Sequence, residues 1–172
     1  MSLAYRVQQF FRVMSARPDA AERERALELL DSPLAELFLQ MSLPDQAHAL
    51  RVFSVLQDHA MTDPDLLAAA LLHDVGKSIH QPSVLDRVIV VLTNPLFPRK
   101  VVQWGESEPE GWRRPFSIAV QHPRWGAELV AAHGASPLLV ELIHRHQETP
   151  TPKPQTTADH LLVDLRWADS EN

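Results

Sequence analysis

Residues 69–78 read "AALLHDVGKS". The apolar run Leu66 to Leu72 stops at an imidazole and a carboxylate, followed after one valine by a glycine and a lysine. Buried polar groups without partners are costly, so His73 and Asp74 need something to bind. Neighbours in a regular helix point about 100° apart. At a helix end loosened by Gly76, the two side chains can converge on one ion. A cation turns the cost of burial into ligation, provided the imidazoles are neutral and the carboxylate is ionised.

Working outward, the spacing of apolar residues is helical. Leu50, Val52, Phe53, Val55 and Leu56 form one broad stripe, and Leu66, Leu67, Ala70 and Leu71 form another. Punctuation comes from 14 prolines against only five glycines. Ser32-Pro33, Asp63-Pro64 and Ser136-Pro137 each place a capping side chain before a proline suited to a first helical turn. Ser42 with Asp45 resembles a capping box. The pattern predicts helices over 3–16, 19–30, 33–41, 44–59, 64–74, 82–93, 123–132, 137–147 and 157–169. "VIVVL" at 88–92 has strand character but no partner strand, so the class is all-α. The segment 94–116, rich in Trp, Arg and Glu, reads as a crossover loop packed by its tryptophans, with a substrate lid or docking patch as the alternative. "TPTPKPQTT" at 149–157 reads as a connector within the domain.

Two helical hairpins bring four histidines to one level. His48 and His73 are equidistant from a turn near residues 60–61, each about 12 residues away. At 1.5 Å per residue both lie roughly 18 Å from it, on neighbouring helices that a short loop makes antiparallel. His122 and His146 stand in the same relation to the turn at Gly134, with His122 opening its helix. His144, two residues from His146, points elsewhere.

In these segments the chain resembles the HD superfamily of metal-dependent phosphohydrolases. "HALRV" supplies His48, "LLHDVGK" supplies His73 and Asp74, and "LLVDLRWAD" supplies Asp169. The resemblance implies an HD-domain helical bundle in which these four ligate a divalent metal; Asp164 is the rival to Asp169. "HPRWGAELV" and "LIHRHQE" further resemble the HD-GYP branch, which implies that His122 and His146 complete a second metal site or hold phosphate. That branch carries a second histidine where Gln147 stands, and its GYP signature is replaced by "TPTPKP", so its cyclic-dinucleotide activity is not carried over. The resemblance spans about 46–169, within a single domain of residues 1–172 whose N-terminal helices, 1–43, pack on that core.

Two imidazoles and two carboxylates suit Mn²⁺, Fe²⁺, Co²⁺, Ni²⁺ or Zn²⁺, and Mg²⁺ less well; one or two ions per chain are expected. The implied activity is hydrolysis of a phosphate mono- or diester, of a nucleotide, by metal-activated water. Asp74 would orient that water, Lys77 neutralise a phosphate oxygen, and Arg51 bind phosphate or steady Asp74. Two alternatives are a regulatory module that binds a phosphorylated ligand without turnover, and a diiron oxygenase of the same fold.

Bulk composition agrees. A chain of 172 residues with 45% hydrophobic content buries roughly 70% of its unfolded surface. A net charge of −6 opposes non-specific nucleic-acid binding. The absence of cysteine removes disulfides, thiolate zinc sites and cysteine nucleophiles. No signal peptide or membrane span is evident, which leads to the expectation of a cytoplasmic protein acting on a small phosphorylated substrate. Oligomeric state is not encoded legibly.

Overall fold

The computed structural model describes residues 17–149 and 152–171; the expected helix at 3–16 lies outside them. Among the described residues there are nine α-helices and no strand. They are α1 (Ala20–Leu27), α2 (Ser32–Gln40), α3 (Leu43–Asp58), α4 (Pro64–Leu72), α5 (Val84–Thr93), α6 (Pro98–Gly105), α7 (Arg114–Ala132), α8 (Pro137–Arg145) and α9 (Thr157–Ser170). A short 3-10 turn, Val75–Ser78, follows α4, and another, Gly111–Arg113, precedes α7. No helix among the described residues is long and apolar enough to cross a membrane.

The helix starts follow their caps. Asp63 accepts from the Leu66 amide at 3.0 Å and Ser136 from that of Leu139 at 3.0 Å. Ser83 with Asp86, and Thr156 with Asp159, form complete capping boxes. Each such cap contributes about 1 kcal/mol. Ser32 departs from expectation: Asp31 occupies the cap position of α2 and makes no side-chain cap hydrogen bond, while Ser32 and Pro33 lie inside the first turn. Proline alone is enough to set that start.

α4 is the central helix. It is apolar on every side, as a helix must be when neighbours surround it, and Leu66, Ala69, Ala70, Leu71 and Leu72 are fully buried. It contacts α2, α3, α8 and α9. Leu30, Leu34, Leu37 and Phe38 from the N-terminal segment join the same apolar cluster as Leu50, Leu56, Leu142, Ile143, Leu162 and Leu165.

Two expectations need correction. α7 starts at Arg114, not 123, and carries Pro123 in its interior. Phe116, Ser117 and Ile118 are buried one to two turns earlier, so packing sustains the helix through a residue that normally interrupts one. The stretch 94–116 is also not a loop throughout, since it contains α6. Trp104, Trp112 and Phe116 do pack together, with ring centroids 5.0–6.3 Å apart. That cluster holds α6 against the start of α7.

Gly76 has a different reason from the one expected. It does not loosen the helix end; it allows close approach. The 3-10 turn lies directly on the backbone of α7, and a Cβ on Gly76 would collide with the His122 carbonyl and come within 2.6 Å of the Gly126 amide nitrogen. The contact is backbone against backbone, so no side chain can swing aside. Gly76→Ala is expected to cost at least about 1–3 kcal/mol by overpacking, read as a lower urea midpoint at unchanged m-value.

A second tie reaches across the fold. Arg87 of α5 grips Asp45 of α3 with both terminal nitrogens, at 2.8 and 2.7 Å, and Asp45 is 4% exposed. Burial pushes the Asp45 carboxyl up, but Arg87 outweighs it and holds the group below its ordinary 3.8. The pair's stabilisation is therefore present above the ordinary value and is lost as pH falls through the lower folded value. Asp45→Ala leaves the Arg87 cation behind and should cost about 3–5 kcal/mol, with the loss shrinking under strongly acid conditions; denaturant titrations at neutral and acid pH measure both.

Candidate metal centre

Five helices and the 3-10 turn meet at one point. His48 lies in the second turn of α3, and His73 caps the C-terminus of α4. Asp74 enters the 3-10 turn, His122 sits midway along α7, and His146 caps α8. Asp169 comes from the last turn of α9. The hairpin geometry brings each histidine pair together: His48 and His73 ring centroids are 5.2 Å apart, as are those of His122 and His146. The two pairs also meet, through His73 and His146 at 5.3 Å.

The donor atoms fall into two groups. His48, His73 and Asp169 form one, and Asp74, His122 and His146 form the other, with the ligand atoms of each lying within 4.8 Å of one another. Asp74 stands between them. Its Oδ1 is 3.1 Å from His122 Nε2 and 4.0 Å from His146 Nε2. Its Oδ2 is 3.7 Å from His73 Nε2 and 2.6 Å from Lys77 Nζ. In the first group, His48 Nε2 is 2.9 Å from Asp169 Oδ1; it is Asp169, not Asp164, that meets His48. His144 is exposed, while His146 is buried. Arg51 follows His48 by one turn on α3 and is half-buried.

Backbone carbonyls select the histidine tautomers. Nδ1 of His73 lies 3.0 Å from the Ala70 carbonyl, that of His122 lies 3.0 Å from Ile118, and that of His146 lies 2.7 Å from Ile143. A carbonyl only accepts, so each Nδ1 carries the proton and donates it. With Nδ1 so engaged, each ring turns its Nε2 toward Asp74. Arg166 of α9 secures the end of α8, donating to the His146 carbonyl at 3.1 Å and to that of Arg145 at 2.9 Å.

The electrostatics agree with ligation. Burial, then the neighbouring His122 and His73, lower the His146 pKa to about 3. Burial likewise lowers that of His73, and the Asp74 charge offsets this only in part. Burial pushes the Asp74 carboxyl up, yet Lys77, His73 and His122 together hold it well below the usual range. Asp169 is also pushed up by burial, and the His48 hydrogen bond with nearby His73 brings it below its ordinary value.

Three buried imidazoles and a carboxylate therefore face a shared space. Donors so arranged repel one another unless a proton or a cation lies among them. Neutral nitrogens with ionised oxygens, each nitrogen backed by a carbonyl, are what a divalent transition ion requires. The residues present fit such an ion.

Sequence reasoning overlooked the Asp45–Arg87 pair beside Lys77. Its partners are 42 positions apart, and no local pattern links them. Gln147 was noted only as a departure; its side-chain amide nitrogen lies 3.4 Å from His122 Nε2.

No curated protein and no solved structure matches the chain significantly. A family model described as the HD domain matches residues 46–171. That span covers most of the 172 residues and contains His48, the His73-Asp74 doublet, His122, His146 and Asp169; the chain belongs to the HD domain family.

Proposed function

We propose that the protein is a metal-dependent phosphohydrolase that cleaves a phosphate mono- or diester of a small molecule. The observation that carries this reading is the placement of Asp74, whose Oδ1 faces His122 and His146 while its Oδ2 faces His73 and is contacted by Lys77. His48, His73, Asp74 and Asp169 would hold one divalent ion, and Asp74 would share in a second with His122 and His146. A bound divalent ion polarises a phosphoryl oxygen and lowers the pKa of water.

The chain's own groups supply the rest. The Asp74 carboxylate, kept ionised, accepts a hydrogen bond from the attacking water and orients it. Lys77 Nζ, a half-buried cation at 2.6 Å from that carboxylate, is placed to meet negative charge as it builds on phosphate oxygens. Arg51 adds positive charge one turn beyond His48. The buried ring of His122 limits the access of bulk water on the α7 side. The regulatory-module reading makes the opposite prediction, tight binding of a phosphorylated ligand with no turnover.

Elemental analysis and hydrolysis of chromogenic phosphate mono- and diesters test this directly. Asp74→Asn should lose bound metal and lower activity by at least about 10²–10³-fold, and Lys77→Ala should lower activity by about 10²-fold while metal stays bound. Metal-replete wild-type protein with no turnover on any ester would overturn the hydrolase reading.

Metal binding should also register in stability. At a free ion concentration of about 100 times Kd the native state gains about 2.7 kcal/mol, raising Tm by about 5–10 °C for a chain of this size. Calorimetric scans with and without a chelator should show that shift in the wild type and its loss in Asp74→Asn.

A further inference from the structure

We infer that the ligand of this centre carries a compact aliphatic group as the ester substituent of its phosphate, held in the cavity between α5 and α7. The inference deepens the phosphohydrolase reading and rests on it for the phosphate end.

The cavity measures about 280 Å³ and opens directly off the cluster, because Lys77 and His122 form its inner end. These are the two side chains closest to Asp74. Gln147, exposed, stands at its edge. A phosphoryl group at Asp74 and Lys77 therefore has one sheltered direction in which to extend its substituent.

The walls in that direction are aliphatic. Val90 and Val91 come from α5, and Pro115, Ile118 and Ala119 from α7. Two charged residues also line the space, but both are already engaged. Asp86 accepts from the Ser83 amide and hydroxyl, each at 2.8 Å, and is paired with Arg114. Arg87 places both terminal nitrogens on Asp45. Arg114 in addition donates to the His80 and Gln81 carbonyls, which fixes the loop leading into α5. The Arg87 Nε is buried without a partner; apart from it the wall presents hydrocarbon and charges already paired.

Size and composition then select the occupant. The volume lies at the lower edge of small-molecule sites. No Phe, Tyr or Trp lines it, and its one ring, the His122 imidazole, is turned to Asp74 at 3.1 Å and packed against His146, so a nucleobase would find no free ring to stack on, the commonest sequence-tolerant means of holding a base. A short alkyl or branched aliphatic group fits the volume and replaces water on apolar walls. This narrows the substrate class away from the nucleotide that the sequence suggested.

The test is calorimetric titration of the manganese-loaded full chain with methyl-, ethyl-, butyl- and hexylphosphonate and with adenosine monophosphate. Affinity should rise about fourfold per added methylene until the cavity is filled, and then level off. Val90→Phe should flatten that slope, and Val90→Ala should move the plateau to a longer chain; circular dichroism and metal content establish that each variant is folded, and either one alone suffices. Equal affinities along the series, tighter binding of adenosine monophosphate than of hexylphosphonate, or a slope unchanged in a folded Val90 variant would overturn the inference. Phosphonates are not hydrolysed, so the two readings fail separately. A graded series in a protein that turns over no ester would sink the hydrolase reading alone. Ester hydrolysis with a flat series would sink this one alone.

Discussion

The whole arrangement depends on an ionised carboxylate held in the interior. Asp74 is 5% exposed, and moving such a group out of water costs several kcal/mol even after relaxation. Lys77, at 2.6 Å, offers it a permanent positive charge at contact distance. The other neighbours are imidazoles whose protons have been assigned to backbone carbonyls on the far side. A divalent cation among these donors would supply the positive charge that the buried carboxylate calls for.

That demand explains the backbone around it. His73 and His146 both sit at helix C-termini, where the backbone is free to turn and the ring can still reach a carbonyl three residues back. Asp74 follows immediately, in a conformation near the bridge between helix and extended structure. The 3-10 turn then lies flat on α7 because Gly76 has no Cβ. Close approach at Gly76 sets the position of the turn against the backbone of His122, and with it the 3.1 Å contact from His122 to Asp74. A packing requirement and a chemical one are met by the same glycine.

The periphery compensates for a polar centre. Capping boxes start α5 and α9, and α4 is sheathed in leucine and alanine on every side. The Asp45–Arg87 pair ties α5 back to α3, so the helix that walls the cavity is anchored at one end although none of its residues is fully buried. The candidate centre occupies the meeting point of the helices, and stability is supplied by the layers around it.

Much of this was legible in the chain. Helical periodicity and proline punctuation identified the class and most elements, because they report local preferences. Equal spacing of His48 and His73, and of His122 and His146, about their turns was enough to pair them, since rise per residue converts sequence distance into height. What could not be read was contact between the pairs. The approach of His73 to His146, the position of Asp74 between two donor groups, and the choice of Asp169 over Asp164 follow from how one hairpin and α9 rotate about their axes against the other. The continuation of α7 through Pro123 and the steric role of Gly76 were hidden for the same reason. By itself the sequence determined which side chains of the central helices reach a common level; only tertiary packing decided which atoms face one another, because axial rotation is settled by the interlocking of whole helix surfaces and leaves no trace in local spacing.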